Sequence, residues 1–119
     1  MSLLVGVRHS DLHDVSPLDL LVLANVHSAP LGQREHCLRT ASNDGDSGNE
    51  AALSACQAFI MEEIALALGE ADELDLGRTE NVATFLTFQG SVSIALSSYA
   101  FHMGRALHAL QDSFSHRCV

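Results

Sequence analysis

Tyr99-Ala-Phe-His-Met-Gly-Arg-Ala-Leu-His-Ala-Leu-Gln-Asp-Ser-Phe-Ser-His116 is the run from which the rest of the chain can be read. Met103, Leu107, Leu110 and Phe114 recur at helical spacing, which predicts a helix with one apolar stripe made for burial. On the opposite stripe His108, Asp112 and His116 follow one another at four-residue steps, with Arg105 beside them. Neutral imidazole and carboxylate oxygen are ordinary ligands of zinc, so this face can hold a transition metal.

The spacing also limits how. His108 and His116 lie about 12 Å apart along an ideal helix axis, too far to share one ion. Asp112 has two oxygens and can bridge two ions, one shared with each histidine, which is the layout of a two-metal hydrolytic site. The same pattern equally describes a solvated face, because polar pairs at i and i+4 are common on helices.

The wording of the run adds to its spacing. Gly104-Arg-Ala-Leu-His108-Ala-Leu-Gln-Asp112 resembles the Gly-x-Ser/Ala-Leu-His-x-Leu-x-Asp segment of the zinc-dependent phospholipase C and P1 nuclease superfamily. The continuation Ser-Phe-Ser-His116 is similar to those members whose next histidine follows the aspartate by four residues. The resemblance covers about fifteen residues. It implies a phosphodiester substrate, in a phospholipid or a nucleic acid, and His108, Asp112 and His116 as zinc ligands. His9 or His13 would fill the family's N-terminal histidine position, although no matching N-terminal tryptophan is present. His36 stands before a loop rich in Asp and Gly, as a histidine ligand of the phospholipases C does. Arg105 would orient a phosphate or pair with Asp112. The family is largely exported, which implies a secreted or periplasmic protein. The phospholipases C supply a further histidine and a glutamate downstream, so the resemblance implies an incomplete version of that fold.

Composition sets the frame. A chain of 119 residues, 47% hydrophobic and 18% charged, reads as a single globular domain over residues 1–119. Its net charge of −9 and its lack of a basic stripe argue against binding duplex DNA. Residues 1–8 hold a five-residue apolar run, too short for a signal-peptide core or a membrane span, and no transmembrane segment is expected.

His9-Ser-Asp-Leu-His13-Asp14 is a second dense group of potential ligands, or else a polar lead-in to a helix. Ser16-Pro17 predicts a helix start, and the apolar residues from Leu18 to Val26 fill that helix until Ala29-Pro30. His27 near its end suits a helix C-terminus. Residues 31–49 read as one long loop. Asp44-x-Asp46 within it fails as a calcium loop because the sixth position is Asn49 and the twelfth Ala55. Residues 49–68 predict a strong, central helix closed by Gly69, with Glu62 and Glu63 at its wet edge. Thr79 to Phe88 is expected as a shorter helix, and no sheet is foreseen. Cys37, Cys56 and Cys118 have no zinc-ribbon spacing. A Cys37–Cys56 disulfide and two buried thiols are both open.

The expectation is therefore an all-α bundle of four to five helices carrying zinc, with two or more ions possible. Its activity would be metal-dependent hydrolysis of a phosphodiester. The alternative is a non-catalytic helical module that binds metal or a protein partner, with a homo-oligomer as one form of that.

Overall fold

A computed structural model describes residues 1–16, 18–39, 45–70, 73–86 and 88–115. In chain order these form α1 (Ser2–Leu12), α2 (Leu20–Ser28), α3 (Pro30–Glu35), α4 (Gly45–Leu68), β1 (Thr79–Leu86), β2 (Gly90–Ser97) and α5 (Ser98–Ser115). The all-α expectation is corrected by the antiparallel β1–β2 hairpin, which pairs Thr79 with Ser97 through Leu86 with Gly90. Its signal lies in Ser91-Val-Ser-Ile-Ala-Leu-Ser97, a period-two run with branched residues at the inward positions. The Thr79–Phe88 segment is thus β1 and its turn, where Phe88 takes a left-handed φ of 79° and Gly90 one of 78°. Val82 and Leu96 from the hairpin bury against Phe101 of α5, with Val5 of α1 packed alongside.

Two further departures reshape the N-terminal half. Residues 2–12 are helical, and small residues explain how α1 is held. A Cβ on Gly6 would fall on the carbonyl of Phe101, and one on Gly104 on the carbonyl of Leu3, so the two backbones touch where both residues are glycine. In the expected loop, α3 turns the chain so that Glu35 and His36 are buried. Helix α2 begins later than Ser16-Pro17 implied: Asp19 caps it, accepting from the Val22 amide at 3.2 Å. Pro17, most of the Asn43-Asp44 turn, His116 and Cys118 lie outside the described residues.

Helix α5 is central, but the face it buries is the reverse of the expected one. Phe101, His102, Gly104, Ala106, His108 and Ala109 are buried. Leu110 and Phe114, from the apolar stripe, are 43% and 70% exposed, whereas His108 is 8% exposed. The small residues Gly104, Ala106 and Ala109 let α1 and α4 approach closely, and polar partners across the interface satisfy the imidazoles. Helix α4 likewise buries a single stripe, Ala52, Cys56, Phe59, Glu63 and Ala67, and leaves Leu53, Met61 and Leu66 exposed. Ser47–Leu68 is long and apolar enough to cross a membrane. Its buried stripe packs on α5 and carries the ion-paired Glu63, and most of the rest of the helix surface is exposed.

Gly69 closes α4 in the left-handed region at φ 74°, and the Arg78 guanidinium donates to the carbonyl of Leu66 there. Cys37, just after α3, is disulfide-bonded to Cys56 of α4. The molecule is thin, with extents of 44 × 40 × 19 Å. It exposes 7506 Å²; a compact monomer of this mass would expose roughly 6,200 Å². Its apolar core is correspondingly small.

Candidate metal centre

Three elements converge on one point. His108 and Asp112 stand one turn apart on the buried face of α5, and His36 follows α3. His36 Nδ1 lies 2.7 Å from Asp112 Oδ2 and 3.0 Å from His108 Nε2, and the latter is 3.1 Å from Asp112 Oδ2. The His36 tautomer follows from its other nitrogen. Nε2 is 3.1 Å from the Ser10 carbonyl, which can only accept, so the neutral ring carries its proton on Nε2 and presents a bare lone pair from Nδ1. Nδ1 then faces a carboxylate and a second imidazole nitrogen. A proton on His108 Nε2, donated to either neighbour, closes this triangle in the metal-free chain, and a cation bound to all three atoms would close it in the same place. Tetrahedral zinc with ligands at about 2.0–2.1 Å separates them by roughly 3.3 Å, only a few tenths of an ångström wider than this triangle.

The histidine–carbonyl contact has a second effect. A backbone acceptor on the far nitrogen is how metal-binding imidazoles are commonly oriented. Asp11 stands at the rim, with Oδ1 3.5 Å from His108 Nε2 and its side chain half exposed, so the centre opens to solvent on that side. His27 stacks on His36 at 4.9 Å between ring centres, and its Nδ1 donates to the Leu23 carbonyl at 2.8 Å. Asp11, His27 and His36 form a second group with ligand atoms close enough to share an ion. Both groups need His36. With Nδ1 in the first triangle and Nε2 on the Ser10 carbonyl, the first group is the better formed. These groups can hold a metal ion.

The remaining sequence candidates lie elsewhere. Arg105 turns away from Asp112: one nitrogen pairs with Glu35 Oε1 and another with Glu63 Oε1, both at 2.9 Å, and its guanidinium lies 5.3 Å from the Phe59 ring centre. Glu63, read as a wet edge, is buried. It also accepts from His102 Nδ1 at 2.6 Å, while His102 Nε2 reaches Glu80 Oε2 at 3.0 Å. Burial alone would lower the His102 pKa, but the hydrogen bond and charge of Glu63, with Glu80, raise it above the usual value. Burial would similarly raise Glu35, yet His13 and Arg105 hold its carboxyl below the usual range. His13 Nε2 sits 3.4 Å from Glu35 Oε2, outside the metal triangle. His9 packs edge-on against Phe101, and burial, with Arg105 and His13, pushes its pKa down to about 4. His116 lies outside the described residues.

From the dense His9–Asp14 stretch, the Ser10 carbonyl and the Asp11 carboxylate reach His36 and His108, whereas His9 packs on Phe101 and His13 pairs with Glu35. His27 gave no signal beyond its place at a helix end. Compared with known proteins, the chain matches no family model, no curated protein and no solved structure.

Proposed function

We propose that the chain is a zinc-dependent hydrolase of phosphodiester bonds, with His36, His108 and Asp112 as zinc ligands. The observation that carries this reading is the triangle of potential ligand atoms His36 Nδ1, His108 Nε2 and Asp112 Oδ2, within 3.1 Å of one another. The Gly104–His116 wording, similar to the phospholipase C and P1 nuclease superfamily, supports the choice of metal and reaction class. Three protein ligands with an open fourth position are the donor set of catalytic rather than structural zinc. Zinc, when bound, supplies a water of lowered pKa and a positive charge for phosphate oxygens.

The chain's own residues have definable parts. Asp112 would balance the charge of a bound ion, and with His116 it would supply donors to a further one. Ser10 fixes His36 through its carbonyl. Asp11, at the exposed rim 3.5 Å from His108 Nε2, would be the proton acceptor for an attacking water. Arg105, locked between Glu35 and Glu63, is a positioning residue for α5. The Cys37–Cys56 disulfide favours an oxidising compartment, in keeping with a secreted or periplasmic protein.

A second reading is favoured by one observation, the exposed apolar stripe of α5. It makes the chain a non-catalytic metal-binding module that docks a partner, a second copy included. Metal analysis and an activity assay separate these readings. After chelator treatment and zinc reloading, at least one zinc per chain and turnover of bis(p-nitrophenyl) phosphate are expected, both lost in His108→Ala. Zinc without turnover leaves the module reading, and folded protein that takes up no zinc removes both.

A further inference from the structure

A cleft of about 270 Å³ lies between α1 and the turn end of β1, along a different stripe of α1 from the one that meets the metal triangle. Its helix wall runs from Met1 to His13, a rise of roughly 18 Å, so the cleft is long and narrow. Leu4, Val5 and Leu12 face Phe85 and Leu86 across it, and the walls are mainly apolar. Pockets of this kind, apolar with a few placed polar groups, are where small molecules bind.

The polar lining holds no acid. Arg8, His9, His13 and Thr84 line the cleft, and no carboxylate side chain does, in a chain of net charge −9. Arg8 differs from the other described arginines. Arg34 pairs with Glu62, Arg78 donates to the end of α4, Arg39 donates to the Gly45 carbonyl, and Arg105 is held by two glutamates. Among the described residues, Arg8 makes no hydrogen bond or ion pair. The nearby Asp14 accepts from the Ser91 hydroxyl. His9 has a buried Nδ1 without a hydrogen-bond partner, and with its pKa near 4 the ring is neutral at ordinary pH. The cleft thus presents one guanidinium without a partner among the described residues, next to an imidazole whose Nδ1 makes no hydrogen bond.

We propose that this cleft binds a linear, single-chain amphiphile with an anionic head, the apolar chain lying between Leu4, Leu12 and Phe85 and the head on Arg8. The length of the wall suits a flexible chain better than a compact ring. Guanidinium recognises carboxylate and phosphate heads alike, through paired N–H donors. The site is independent of the metal triangle and of the hydrolase reading.

Calorimetric titration of the full chain with decanoate, decyl phosphate, decanol and decyltrimethylammonium, below their micelle concentrations, tests it. Both anions should bind about tenfold more tightly than decanol, the worth of one charge-assisted contact, and the cation should not bind. The ratio of decanoate to decyl phosphate then distinguishes a fatty carboxylate from a phosphate-headed ligand. Arg8→Gln, a change at an exposed position, should erase the advantage of the anions and leave decanol unchanged. Leu4→Trp should close the cleft to all of them. Asp112→Asn should change none of these affinities. Anions no tighter than decanol, an Arg8→Gln variant that keeps its preference, or loss of binding in Asp112→Asn would each overturn the proposal.

Discussion

Helix α5 carries two polar clusters, and they differ in how their charges are matched. Around Arg105 and His102, cations and carboxylates alternate: His13, Glu35, Arg105, Glu63, His102 and Glu80 run as one chain of contacts, mostly at 2.6–3.0 Å. One turn further on, His36, His108 and Asp112 bring three potential ligand atoms together, with Asp11 adding a fourth at the rim. In the first cluster each carboxylate faces a basic group, although Glu35 Oε2 and Arg105 Nε make no hydrogen bond, and in the second two carboxylates face imidazoles with no arginine among them. A matched buried network holds helices in place. The second cluster can hold a metal ion.

Breaking the matched cluster should have the largest effect. Glu63 is 3% exposed and binds both Arg105 and His102. Glu63→Ala leaves two buried cationic groups short of a partner and should lower unfolding free energy by about 3–5 kcal/mol, read from urea unfolding. A loss under 1 kcal/mol would mean that the network is solvated and contributes little.

The disulfide sharpens the comparison, because it ties the segment carrying His36 to α4 next to the matched network. Replacing Cys37 and Cys56 with serine should cost roughly 3 kcal/mol in the chain-entropy model for a loop of this size. Zinc affinity should fall as well, since His36 immediately precedes Cys37. Wild-type zinc affinity in a destabilised double variant would show that the Ser10 carbonyl alone positions the ring.

How much of this was legible beforehand depended on what each residue's signal encodes. The helical spacing of α5 and the pairing of His108 with Asp112 are local, and both were readable. Which face met the core was not, because Leu107, Leu110 and Phe114 are the more apolar choice by any transfer scale. The fold buries His102 and His108 instead: Glu63 and Glu80 from other elements satisfy His102, and His36 together with Asp112 of α5 itself meets His108. The compensation at His102 is long-range and leaves no mark on the α5 sequence. The hairpin, by contrast, did leave one. Ser91 to Ser97 alternates strictly, but serine is weakly polar and the run abuts a strong helix, so the period was missed. Arg105 was misassigned for the same reason as the stripe: its partners Glu35 and Glu63 come from α3 and α4, far away in sequence.

Filling the second cluster should have the opposite sign to emptying the matched one. Zinc at a hundred times its dissociation constant should stabilise the wild-type chain by about 2.7 kcal/mol. In metal-free protein, Asp112→Asn should be neutral or stabilising by about 1 kcal/mol, because the amide can donate to His36 Nδ1 where the carboxylate can only accept. The same variant should gain almost nothing from zinc. If Asp112→Asn instead destabilises the metal-free chain by several kcal/mol, the triangle is an internally satisfied hydrogen-bond network, and the contrast between the clusters fails.

The smallest expected effect concerns pH, and it isolates His102. Its folded pKa lies above the unfolded value because Glu63 and Glu80 flank its two nitrogens, with Arg105 beyond Glu63 and the Ser98 hydroxyl on Glu80. A group whose folded pKa is raised binds its proton more tightly in the folded chain. Its contribution to stability is fully present below the unfolded value of about 6.5 and is lost as pH rises through the folded pKa. Unfolding free energy should therefore fall between pH 6.5 and alkaline pH, by a modest amount because Glu80 is partly solvated. In His102→Gln that slope should disappear while the acid limb below pH 5, set in part by Glu35, remains. Zinc stabilisation, measured at fixed pH in the same variant, should not change, because none of the described contacts of His102 reaches His36, His108 or Asp112. A variant that loses both the alkaline slope and the zinc response would show that the two clusters are one coupled network along α5 rather than two.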